Sequence, residues 1–269
     1  MLNLYRLKEL VLFDFLYSLS SLKSLVFLIP YFLFWFLIFD NIGSETIEWL
    51  RSAQGLFLVS WLLDDQELAL QLFVDRSASL SVYLIISISL MPLFVMLAAN
   101  NQYSSDASRG AFRFILTRTT RMELFISRFL AAFIMLGSCL FITTIWATLL
   151  AYLNGEDELT TLFLFSSQTL LILIFYCLPF IAFMSMVSAF ARSGFGSLFI
   201  GMMLYVFLVL LVFWLRTDIH YVIYLIPGWI KPNLYNINIE NILISVALLS
   251  TYTLFYFTCG WKLFRSRDM

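Results

Sequence analysis

Apolar residues in this chain gather into six long runs separated by polar stretches of very unequal length. Five runs reach the roughly 20 residues that a helix needs to cross a ~30 Å hydrocarbon core, and the first is slightly shorter. The pattern predicts a single all-α membrane domain, 1–269, with six transmembrane helices at 23–39, 78–99, 129–153, 162–189, 195–215 and 242–260. Ahead of the first span, Leu2, Leu4, Leu7, Leu10, Val11, Phe15 and Leu16 recur at helical spacing among Arg6, Lys8, Glu9 and Asp14. Residues 1–22 read as an N-terminal interfacial helix that bends into the membrane near 18–21; a helix that extends the first span is the alternative.

The connections divide into two kinds. Asp40 to Asp75 carries seven acidic residues, and its longest apolar run is too short to span. Within it Leu50, Phe57, Trp61, Leu68 and Leu72 recur at steps of four and seven, which predicts one or two amphipathic helices. Residues 216–241 are apolar but broken by Pro227, Gly228 and Pro232 and dotted with Tyr221, Tyr224, Trp229 and Tyr235. That composition fits short outer helices in a re-entrant segment, with aromatics at head-group depth. Spans four and five turn around at 191–194, after which Ser193, Ser197 and Gly201 form a small-residue face, either for packing within the chain or for a dimer seam.

Composition agrees with this class: 62% of residues are hydrophobic, 12% are charged, and the mean hydropathy is +0.92. Twelve of the sixteen Lys and Arg residues fall at one end, with 1–23, 100–128, 190–194 and 261–269, while twelve of seventeen acidic residues fall at the other. By the positive-inside rule both termini and the 100–128 segment face the cytoplasm. The segment before the first run is too long and too acidic for a signal peptide, so the first run is expected to be retained. Cys139, Cys177 and Cys259 all lie within spans without metal-ligand spacing, and His220 is the single histidine. There is no phosphate-binding loop, no H-E-x-x-H, no G-x-S-x-G, and no charge between the expected ends of the spans. A gradient-coupled transporter normally carries an intramembrane titratable group, so any transport here would draw its energy from elsewhere.

The chemistry that remains is the basic stretch 104–128, which holds five cations. Ser104, Ser105 and Asp106 are N-cap residues for a helix over 107–116. On it Arg109 and Arg113 share one face, Phe112 and Leu116 the adjacent one, and Gly110 favours a close approach or a bend. Thr117 to Thr120 breaks this helix, and Thr120 to Glu123 has the T-x-x-E form of a capping box that starts a second helix running into span three. A helix, a break and a helix continuous with the membrane make a lever. A plain basic loop drawn to anionic lipid is the alternative.

The stretch from Ser104 to Leu130 resembles the segment after the second span of type 2 ABC transporter permeases, the transmembrane subunits of ABC exporters. Gly110, Phe112 to Leu116, Arg118, Arg121 and Glu123 match that family's pattern, whereas Ala111, Ser108 and Thr119 stand where Thr, Glu and Pro are usual. The resemblance implies a half-transporter that pairs with a second copy or a related permease in a bacterial inner membrane. It would bind two cytoplasmic ABC ATPase subunits through a coupling helix at 104–123. Contacts would come from Asp106, Arg109, Gly110, Phe112, Arg113, Leu116, Arg118, Arg121 and Glu123. ATP and magnesium would then reside in the partner, with no cofactor, metal, catalytic residue or nucleic acid on this chain. A membrane scaffold or assembly factor that recruits a partner through its basic loop is the rival. Single cysteines at Asp157 and Lys231 are expected to react with an impermeant thiol reagent in intact cells and one at Arg118 to be protected; the reverse pattern would overturn the orientation.

Overall fold

In a bilayer core every backbone N–H and C=O needs a partner from its own segment, and long apolar runs meet that demand as helices. The computed structural model describes residues 3–20, 22–104, 112–215, 219–236 and 238–267, so Asp106, Arg109 and Gly110 lie outside the described residues, as does the side chain of Arg113. The elements are α1 (Leu4–Ser20), α2 (Leu22–Asp40), α3 (Ser44–Arg51), α4 (Ala53–Leu63), α5 (Gln66–Phe73), α6 (Ala78–Ala99) and α7 (Phe112–Ile115). They continue with α8 (Arg121–Leu153), α9 (Leu159–Phe190) and α10 (Gly194–Leu215). Two 3-10 turns follow, His220–Leu225 and Pro227–Ile230, then α11 (Lys231–Tyr235) and α12 (Ile239–Ser266).

Helices α6, α8, α9, α10 and α12 are long and apolar enough to cross a membrane, and α1 with α2, bent by 68°, makes a sixth candidate. The chain is therefore a multi-pass, all-helical membrane protein. Helix α12 runs to Ser266, six residues past the expected end of the last span.

Helix α9 is the axis of the bundle and packs on α6, α8 and, most extensively, α12. Glycine makes the last pairing close: a Cβ at Gly260 would lie 3.0 Å from the Met186 Cα and 3.2 Å from its N. Against this core α2 is held by a knot of hydroxyls. The Tyr83 Oη lies 2.8 Å from the Thr143 Oγ1, which lies 3.2 Å from the Tyr31 Oη, and the Thr144 hydroxyl donates to Tyr83 at 3.1 Å. Each such bond between membrane helices is worth about 0.6 kcal/mol, which is enough to fix rotation.

Helix α10 is different, because Ser197 and Gly201 are its buried residues, Leu198, Ile200 and Tyr205 are half-buried against the core, and most of its other side chains are exposed. A Cβ at Gly201 would meet the Met184 Sδ at 2.7 Å, so these two small residues face α9 within the chain. Ser193 is exposed, and its Oγ accepts the Gly196 N–H at 3.0 Å, opening α10 rather than joining the face.

At the end away from the termini, the 40–75 segment folds as three short helices instead of one or two. The division lies in its caps: the Ser52 Oγ accepts the Gly55 N–H, Asp64 ends α4 in the left-handed region at φ 56°, and the Asp65 Oδ1 accepts the Glu67 N–H at 2.8 Å. Glu156, between α8 and α9, reaches across to accept the Ser77 hydroxyl and the Ser79 N–H, both at 3.1 Å, so it caps α6 from a distant part of the chain.

Candidate functional site at the terminal end of the bundle

Helix α8 begins with the capping box that its sequence encodes. The Thr120 Oγ1 accepts the Glu123 N–H at 3.2 Å, and the Thr120 N–H donates to the Glu123 Oε2 at 2.9 Å. The other oxygen, Oε1, accepts the Asn3 N–H at 2.8 Å. Asn3 in turn caps α1, its Oδ1 accepting the Tyr5 N–H at 3.1 Å. Alongside, the Arg6 guanidinium donates to the Arg118 carbonyl at 3.2 Å. One buried carboxylate thus joins the start of the chain to the start of α8. Further along α1, the buried Asp14 accepts the Ser127 hydroxyl at 3.2 Å and pairs with the Arg128 Nε at 3.3 Å. Asp14 of α1 therefore lies on protein, while Arg6, Lys8 and Glu9 stay exposed and Leu12, Phe13, Leu16 and Tyr17 point outward.

The C-terminal turn of α12 is held to the same place. The Arg121 Nη1 donates to the carbonyls of Arg265 and Arg267 at 2.7 and 3.1 Å, satisfying acceptors that the helix end leaves open. Arg267 donates to the Ala189 carbonyl at 2.8 Å, close to the end of α9.

Inside this ring of bonds sits an aromatic cluster. Tyr103 is fully buried, with its ring stacked on Phe125 at 5.1 Å and 10° and its hydroxyl donating to the Phe125 carbonyl at 2.8 Å. Its N–H donates to the Ser188 Oγ at 3.0 Å. Burial pushes its phenol well above the ordinary range, so the hydroxyl stays a donor. Phe112, the first residue of α7, is 2% exposed and meets Phe264 edge to face at 5.7 Å, while Phe264 packs on Phe125 at 5.5 Å. Ile115 and Leu116 pack partly against the same cluster. By contrast Phe114 is 80% exposed, and Arg118 beyond it is exposed as well.

The residues expected to meet a partner thus separate into two groups. Phe112 and Glu123 are buried within the chain, and Leu116 and Arg121, half-buried, also pack or bond within it. Arg118 and Phe114 face outward, and Phe114 was not among the expected contacts. Its position two residues after Phe112 puts it on the opposite side of a helical turn, which is the signal that could have singled it out. Among the described residues no three His, Cys, Asp or Glu side chains come together to hold a metal. No family model matches the chain, and no curated protein matches it.

Glu123→Ala removes the carboxylate half of the α8 capping box and the bond to Asn3, leaving the Thr120 Oγ1 to accept the N–H of residue 123, and is expected to cost about 1–3 kcal/mol. Amide exchange over residues 3–10 should accelerate in the same variant; exchange at the wild-type rate would show that α1 is held without this carboxylate.

Proposed function

We propose that this chain is the permease subunit of an ATP-binding cassette exporter, acting as a dimer with two separate ATPase subunits. The observation that carries the reading is the packed path from α7 through Phe112, Phe264 and Phe125 into α8 and α12, with Tyr103 tying it to α9. A recruiting scaffold needs an exposed contact face but no such path into the spans. In this reading α7 belongs to the coupling helix, α1 lies at the inner interface, and α11 with the 3-10 turns forms the outer segment. The chain termini and the basic end face the cytoplasm of a bacterial cell, as the distribution of Lys and Arg supports.

Arg6, Lys8, Arg118, Arg192 and Lys262, all exposed, belong to the basic end of the chain together with the exposed aromatic Phe114, so the partner surface is expected to be an apolar groove with an acidic rim. Closure of the ATPases on ATP would press on α7. Because α7 joins, through Phe112 and Phe264, an aromatic cluster to which α8, α9 and α12 all contribute, these helices would tilt together, and the path between two copies would open to the other side. An uncharged, aromatic interior favours an amphipathic or apolar cargo.

In nanodiscs containing a co-purified ABC ATPase, the double variant Phe114→Ala, Arg118→Glu is expected to lower permease-stimulated ATP hydrolysis about tenfold, with stability within about 0.5 kcal/mol of wild type. Phe112→Ala should instead lose about 3 kcal/mol of stability, because it empties a packed site. Absence of any co-purifying ATPase, or full stimulation by the double variant, would contradict the proposal.

A further inference from the structure

Helices α10 and α12 both pack on α9, and a groove of about 460 Å³ lies between them beside the first 3-10 turn. Its walls include Leu208, Tyr224, Thr251, Tyr252, Phe255 and Tyr256. Next to it a pit of about 10 Å³ reaches Phe180, Phe183, Tyr205 and Pro227, and shares Leu208, Leu225 and Tyr256 with the groove. The pit has room for a single oxygen-sized group and not for a ring. No charged residue lines either space among the described residues. Phe255 on the wall is more than half exposed, as are Phe207 and Leu254, so the groove opens on the lipid side of the spans.

The hydroxyls on these walls are unequally served. Tyr252 donates to the Tyr224 carbonyl and accepts the Trp229 Nε1–H at 2.9 Å, and Thr251 donates to the Leu248 carbonyl at 2.6 Å. Tyr256 is 9% exposed and Tyr205 is half-buried, and neither hydroxyl has a protein partner among the described residues. Neither oxygen is sealed inside the protein, whereas that of Tyr176 is. Tyr205 stands ten residues from the end of α10 and eleven from its start, about 15 Å from either. At that depth no bulk water answers a phenol, and a donor left without an acceptor is costly.

An occupant must therefore be uncharged, reach the groove through the membrane, and carry an acceptor oxygen at mid-span depth. An acyl chain has no acceptor, and the ester carbonyls of glycerolipids lie at the interface, outside the hydrocarbon core. A quinone ring meets the three conditions, because it is flat and neutral and each of its carbonyl oxygens has two lone pairs, one for each phenol. We propose that the groove binds the ring of an isoprenoid quinone. One carbonyl enters the pit and accepts from Tyr205 and Tyr256, the ring lies against Tyr252 and Phe255, and the tail leaves between α10 and α12. The site uses no residue of α7 and stands whether or not the chain is an exporter subunit.

The test uses the full-length chain without any ATPase, in nanodiscs of dioleoyl phosphatidylcholine. An azido-substituted benzoquinone with a decyl tail is photolysed there, and its attachment sites are mapped by peptide mass spectrometry. Label should concentrate on α10 and α12 around Tyr205 and Tyr256. Excess decylubiquinone should lower it about tenfold, while the same excess of dioleoylglycerol leaves it unchanged. The double variant Tyr205→Phe, Tyr256→Phe keeps the rings and removes both donors, and Thr251→Phe fills the groove. Each should lower labelling about tenfold, with melting temperature as the folding control. Label spread evenly over the lipid-facing spans, or undiminished in either variant, overturns the proposal. Competition by dioleoylglycerol equal to that by decylubiquinone assigns the groove to lipid esters and overturns the quinone.

Discussion

The first turn of α8 carries the terminal end of the molecule. A helix that will run through lipid cannot leave its first N–H groups unanswered, and Thr120 and Glu123 answer them reciprocally. Because a carboxylate has a second oxygen, the same group also takes the Asn3 N–H, and the start of the chain is held where the span begins. Two residues earlier in that turn, Arg121 closes the far end of α12. Removing any one bond would leave the others, but all of them converge on one turn, through Thr120, Arg121 and Glu123.

Above this turn the bundle is unequally bound. Helices α8, α9 and α12 share the aromatic cluster, and α9 and α12 approach closely at Gly260. Helix α10, with Ser197 and Gly201 alone buried, and α2, fixed by hydroxyls to α6 and α8, have fewer ties. In the proposed exporter reading, a body of three interlocked helices beside less constrained ones would turn a push on α7 into relative motion of helices instead of local bending.

The sequence carried the spans, the charge asymmetry and the capping box, since each is written in local pattern: length of apolar run, count of cations, and T-x-x-E spacing. It did not carry the partners of those groups. Asp14 looked like one more polar residue on an amphipathic stripe, and its burial against Ser127 and Arg128 depends on α1 folding back over a segment more than 100 residues away. Phe112 looked like an exposed anchor because its pairing with Phe264 spans most of the chain. In the small-residue face, spacing alone left open whether Ser197 and Gly201 would meet α9 or a second copy, and Met184 provides the neighbour that spacing lacked. The three helices of the 40–75 segment were hidden for another reason: their ends rest on the cap geometry of Ser52, Asp64 and Asp65, which interrupts a periodicity that reads as continuous.

The central claim is that α7 moves with α12 as one body and against α10. Spin labels on cysteines replacing Phe114 on α7, Leu263 on α12 and Phe199 on α10, each of which is exposed, would measure it in a chain whose native cysteines are replaced by serine. In complex with an ATPase, the distance between labels at 114 and 263 should stay constant through the ATP cycle while that between 114 and 199 changes. A 114-to-263 distance that shifts as much as the other would mean that the aromatic cluster does not transmit force.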